Sequence, residues 1–138
     1  MMKTTIRKNI LPEYTLHDMN IVALELMEND LILRTQSGII CCKGKGKLVD
    51  GYVLFRQIKL DFCNVYLMKS NGRYGKFETE KITLQQFLNR FDMFGFSIVD
   101  EVYGYNQTKY WGYLTSHREF FECILEIYHT GDMFFIEQ

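Results

Sequence analysis

The sequence predicts a mainly β protein of the α+β class: an antiparallel bent sheet, sandwich or partial barrel of roughly eight to ten strands with one amphipathic helix. Three observations carry this. Short runs of period-two hydrophobicity, separated by turn dipeptides, recur along the chain. Aromatic residues reach 15%, an enrichment that favours strands. A single proline leaves those strands uninterrupted. At 138 residues the chain fits one globular domain, 1–138, in which residues 1–13 are expected to form a loosely ordered N-terminal arm.

The first hairpin is read from "NIVALELMENDLILRT", with Asn29-Asp30 as its turn pair. That register sets Glu28 opposite Leu31, Leu26 opposite Leu33 and Glu25 opposite Arg34. It puts Val22, Leu24, Leu26, Leu31 and Leu33 on the core face and opposite charges on the other. A second turn at Ser37-Gly38 then sets Leu33 opposite Cys42 and Arg34 opposite Cys41, with Cys42 towards the core. "KGKGK", residues 43–47, is a loop, and "GYVLFRQIKLDFCNVYLMK" reads as one bent strand or two, broken near Arg56 or Asp61. Asn71-Gly72 is a strong hairpin signal that would match Tyr66 with Phe77.

One segment changes period. In "ITLQQFLNRFDMFG" the residues Leu84, Phe87, Leu88, Phe91 and Phe94 fall at helical spacing, so residues 84–94 are expected to be helical. Thr83 with Gln86 fits a capping box and Gly95 a C-terminal stop. Strands follow in "FSIVDEVY", in "FFECILEIYH", where Phe121, Cys123, Leu125 and Ile127 share a face, and in "MFFIE" after a turn at Thr130-Gly131. His129 is assigned to that turn.

The most aromatic stretch is "YGYNQTKYWGY", residues 103–113. A hairpin tip at Gln107-Thr108 sets Tyr105 opposite Tyr110, Gly104 opposite Trp111 and Tyr103 opposite Gly112. Each glycine is then covered by a ring on the facing strand. The same rings, Trp111, Tyr103, Tyr105 and Tyr110, are also the candidate lining of a ligand site.

Composition narrows the function classes. Sixteen basic residues face seventeen acidic ones, which argues against binding nucleic acid through its phosphates. No apolar run approaches the length of a membrane span, and "MMKTTIRKNILPEYT" offers none for a secretory signal, so a cytoplasmic protein is expected. In that compartment Cys41, Cys42, Cys63 and Cys123 are expected as free thiols, and their spacing contains no zinc-binding pair. No metal and no cofactor are expected.

The remaining polar candidates are His17, Asp18 and Asp100. His17-Asp18, read as the start of the first strand, offers an imidazole and a carboxylate, although neighbours in a strand point to opposite faces. Asp100-Glu101 lies in an apolar strand, so one of the two carboxylates faces inward at most. His117 in "TSHREF" belongs to a turn, and no nucleophile elbow accompanies it.

The opening "LPEYTLHDMNIVALELMENDLIL" resembles small β-rich bacterial proteins whose first strand begins with L-H-D, some of them grouped with immunity proteins of bacterial toxin systems. The likeness extends to "DGY" at 50–52 and "YGYNQTKY" at 103–110. It implies a cytosolic bacterial protein and transfers no catalytic residue. Three readings stand: a non-enzymatic protein-interaction or immunity-type module; a small-ligand binder with an aromatic-lined pocket near Trp111; and a hydrolase using His17, Asp18 or Asp100.

Overall fold

Alternation of apolar and polar residues resolves into β strands over most of the chain. The computed structural model describes residues 2–8, 12–70 and 77–138. These form β1 (Lys3–Ile6), β2 (Tyr14–Thr15), β3 (Asn20–Met27), β4 (Asp30–Thr35), β5 (Ile39–Cys41), β6 (Lys47–Val49) and β7 (Gly51–Phe55). They continue with β8 (Asn64–Ser70), β9 (Phe77–Thr83), α1 (Leu84–Arg90), β10 (Gly95–Gly104), β11 (Gln107–Ser116), β12 (Glu119–Tyr128) and β13 (Met133–Glu137).

Ten strands make one antiparallel sheet in the order β1-β13-β7-β4-β3-β10-β11-β12-β8-β9, not closed into a barrel, while β2, β5 and β6 form a small second sheet. The large sheet narrows in the middle, where β3 and β10 share only the pairs Ile21–Phe96 and Asn20–Ser97. Both halves contribute to one buried cluster, with Leu31, Leu33 and Phe55 from the first and Ile98, Leu114 and Leu125 from the second.

The helix forms where the sequence places it but ends earlier. Both capping-box bonds are present: Gln86 N–H donates to Thr83 Oγ1 at 3.1 Å, and Thr83 N–H to Gln86 Oε1 at 2.9 Å. Leu84, Phe87 and Phe91 are buried, and Leu88 and Phe94 pack partly against the same cluster. The last turn closes at Arg90: the Phe91 N–H still donates to the Phe87 carbonyl, and the chain then bends at residues 92 and 93, where other partners hold it. Asp92 bonds the Met93 N–H and the His117 ring, and Ser116 Oγ donates to the Met93 carbonyl at 2.5 Å. Gly95 therefore opens β10 rather than ending the helix.

Several registers differ from those expected. In the first hairpin Met27 pairs with Asp30, Leu26 with Leu31 and Leu24 with Leu33, so the turn is Glu28-Asn29. Glu28 takes the left-handed conformation at φ 57°, which frees Asp30 to receive the Gln57 N–H and pair with Arg56. The shift is by two positions and keeps the same faces inward. An irregularity between Ile21 and Ala23 buries Ile21 and leaves Val22 exposed.

The chain does not fold back at Ser37-Gly38. Thr35 Oγ1 binds the backbone of Gly38, whose φ of 98° sends the chain away into the small sheet. There β5 pairs with β2 and β6, so Cys42 is exposed instead of core-facing, while Cys63 and Cys123 are buried. The Asn71-Gly72 turn lies outside the described residues, but Tyr66 pairs with Lys81 and not with Phe77. The segment expected as a loose arm includes a paired edge strand, β1, in register with β13.

The aromatic hairpin has its tip at Tyr105-Asn106, where Asn106 adopts φ 55°. Asparagine tolerates that conformation better than the β-branched Thr108 would. Trp111 therefore pairs with Asp100, Tyr110 with Glu101 and Gly104 with Gln107, so no ring covers Gly104 from across the hairpin. Gly112 answers a different need. It lies opposite the irregularity between Ile98 and Asp100, where a Cβ would run into the Ser97 carbonyl oxygen.

Candidate functional site

Successive side chains of a strand point to opposite faces, so the registers fix what the second half of the sheet presents outward. Trp111 on β11 has Asp100 of β10 on one side and Ile124 of β12 on the other, and Tyr66 of β8 and Lys81 of β9 extend that row. The next row runs Ser97, Tyr113, Glu122, Met68 and Thr79. Phe120 pairs with Thr115 at the end of the face.

Three rings form a ridge here. Tyr113 and Phe120 stack with centroids 5.5 Å apart and planes 14° from parallel, and Trp111 leans on Tyr113 at 6.1 Å. Phe120 is 58% exposed and Tyr113 37%. A shallow groove lined by Asn20, Gly95, Ser97, Tyr113, Thr115 and Phe120 runs beside them. Phe120 was legible as a site residue, since the strand face opposite Phe121, Cys123, Leu125 and Ile127 carries Phe120, Ile124 and Tyr128 together with Glu122 and Glu126.

The four rings named from the sequence do not make one platform. Trp111 faces outward, Tyr105 stands 88% exposed at the hairpin tip, and Tyr103 and Tyr110 turn inward. Tyr103 belongs to a polar network built around Glu101, the carboxylate that faces in, while Asp100 faces out. Glu101 accepts bonds from the Leu16 N–H at 2.6 Å, from Thr15 Oγ1 at 2.5 Å and from the Tyr103 hydroxyl at 2.9 Å. Burial raises the Tyr103 and Tyr110 phenols well above their ordinary range, so both stay protonated. The Tyr110 hydroxyl is buried with no hydrogen-bond partner among the described residues.

Arg7 closes the other side of this network. Its guanidinium donates to Thr108 Oγ1 at 2.8 Å and to the Gly104 carbonyl at 3.0 Å, and lies over the Tyr103 ring at 5.0 Å. It ties the segment after β1 to the hairpin tip. His129, expected in a surface turn, is only 2% exposed, because β12 and β13 do not pair. Its ring packs edge-on against Phe55 and bonds Thr108 and the Gly131 carbonyl.

His17 and Asp18 occupy a turn rather than a strand, and Asp18 takes φ 64°. This lets their side chains meet, Nδ1 to Oδ2 at 3.0 Å, on the exposed surface. The Asp18 N–H donates to the Ile98 carbonyl at 2.9 Å, so the turn lies along β10 close to Asp100. Among the described residues no three His, Cys, Asp or Glu side chains converge as metal ligands. His117, also in a turn, pairs with Asp92 at 3.2 Å and holds that carboxyl below its usual range.

The outer face of the first half is more closed. Ile32 and Ile136 are buried there, and Arg34 covers Tyr52 at 4.8 Å while pairing with Glu25 at 3.2 Å. The ridge of Trp111, Tyr113 and Phe120 is thus the more open aromatic surface. No family model, curated protein or solved structure matches the chain. No helix among the described residues is long and apolar enough to cross a membrane.

Proposed function

We propose that this chain is a protein-interaction module of the immunity type that its opening residues resemble, and that it binds its partner through the outer face of β10, β11, β12 and β8. The observation that carries the reading is the exposed stack of Tyr113 on Phe120, extended by Trp111. Aromatic side chains cost little conformational entropy to immobilise and dominate protein interfaces. Here they stand on paired central strands, which gives a rigid presentation.

The open setting of this stack weighs against a small ligand. The groove beside Tyr113 and Phe120 is shallow, whereas a small-ligand site encloses most of its ligand. A protein partner can use ring edges and the flanking aliphatic surface of Ile124 and Met68.

The test is the double variant Tyr113→Ser/Phe120→Ser. Losing a part-exposed stacked pair from two paired strands should cost about 1–2 kcal/mol, short of a core loss. The fold should therefore persist while a partner recovered with the wild-type chain as bait is lost. Retention of that partner, or a stability loss of a core kind, would count against the reading.

A further inference from the structure

We infer that the partner presents arginine, seated at Trp111 and Tyr113 between Asp100 and Glu122. This rests on the interaction reading of the same face and names its chemistry. Asp100 is the direct cross-strand neighbour of Trp111, and Glu122 that of Tyr113. Such neighbours have Cβ atoms about 4.5–5.5 Å apart, so one guanidinium can reach a ring and a carboxylate together. Neither Asp100 nor Glu122 has a Lys, Arg or His partner within ion-pair distance among the described residues. On this face Glu126 is paired with Lys109 at 3.4 Å, and Lys81 lies over Tyr66 at 5.8 Å.

The molecule satisfies this combination elsewhere from its own chain. Arg34 sits over Tyr52 and pairs with Glu25. Arg90 sits over Phe91 at 5.0 Å and pairs with Glu80 at 2.7 Å. Lys69 lies over Phe121 at 5.4 Å and pairs with Glu119 at 3.8 Å. At Trp111 and Tyr113 the rings and carboxylates recur, and no cation of the described chain supplies the third member. The exposed Asp18 adds negative charge at the neighbouring β10 edge. Like charge disfavours a phosphate-rich surface, so nucleic acid and anionic lipid fit this face poorly. Arginine fits better than lysine, because its planar group stacks on a ring and bonds a carboxylate in one geometry.

The probe is a short synthetic peptide alternating arginine with threonine, with matched lysine and glutamate versions, titrated against the full chain while following Trp111, the sole tryptophan. Saturable binding is expected for the arginine peptide, weaker for lysine and absent for glutamate. The Asp100→Asn/Glu122→Gln variant should weaken arginine-peptide binding by about fivefold or more, as loss of charge-assisted contacts does. Unchanged affinity in that variant, equal binding of the glutamate peptide, or no saturable binding of the arginine peptide would overturn the proposal. Self-association of the chain that Phe120→Ser abolishes would assign the face to a second copy and overturn it too. If a non-basic partner is lost from the Tyr113→Ser/Phe120→Ser variant, the interaction reading stands and this inference alone fails.

Discussion

Thr108 and His129 share a buried hydrogen bond, Oγ1 to Nε2 at 3.1 Å. The opposite ring nitrogen, Nδ1, lies 2.8 Å from the Gly131 carbonyl and must donate to it, so Nε2 of the neutral ring accepts the Thr108 proton. Arg7 donates to the same hydroxyl from the other side. Burial is the main reason that the His129 pKa lies below its ordinary value; Arg7 lowers it further, and Asp132 and the bond to Gly131 act in the opposite sense.

The pH dependence follows from that direction. The unfolded chain takes up a proton on this ring as pH falls through about 6.5, while the folded chain resists until a lower pH. Over that interval the unfolded state binds more protons, so the His129 contribution to stability is full above about pH 6.5 and declines on acidification. Urea midpoints at pH 7.5 and 5.5 should fall more for the wild type than for His129→Gln. Equal declines would remove His129 from the account.

Tyr110→Phe should keep or raise stability, by up to about 1 kcal/mol, because it deletes a buried hydroxyl to which the described residues offer no hydrogen-bond partner. Denaturant unfolding checks this. A loss of more than about 1 kcal/mol would mean that the hydroxyl is bonded.

Phe87→Ala should cost about 3–5 kcal/mol, the range for emptying a large core site. Phe87 touches Phe91 at 4.9 Å and Phe94 at 5.1 Å, so its removal loosens the contact of α1 with the sheet. A loss below about 1 kcal/mol would place that helix face outside the core.

The two hairpin glycines should behave differently. Gly112→Ala drives a Cβ into the Ser97 carbonyl and should destabilise by about 2 kcal/mol or more, whereas Gly104→Ala meets only the Gln107 carbonyl at 3.9 Å and should cost less than about 1 kcal/mol. Thermal unfolding of the pair decides it. The reverse order would restore the tip at Gln107-Thr108.

What the sequence made legible was local. The capping pair Thr83 and Gln86, the helical spacing of Leu84, Phe87 and Phe91, and the alternation that buries Phe121, Cys123, Leu125 and Ile127 each depend on residues a few positions apart. Registers were less legible, since a turn is chosen by backbone tolerance and by distant partners. Asn106 accepts a left-handed conformation, and Asp30 is held by Gln57 and Arg56, which no hairpin-local pattern reports. The burial of His129 depends on Arg7, Phe55, Thr108 and Gly131, brought together from four segments. Trp111 was named for its aromatic neighbours in sequence, but its companions in space are Tyr113 and, beyond it, Phe120 on the next strand.

The most direct measurement replaces Phe120 with a photo-crosslinking phenylalanine analogue and irradiates the protein in the cells that make it. One discrete adduct with another protein is expected, absent when the analogue stands at Lys45 in the exposed loop after β5. Peptide mapping should place the link on an arginine-bearing segment of that partner. Equal labelling from both positions, or no adduct from position 120, would contradict a docking role for this face.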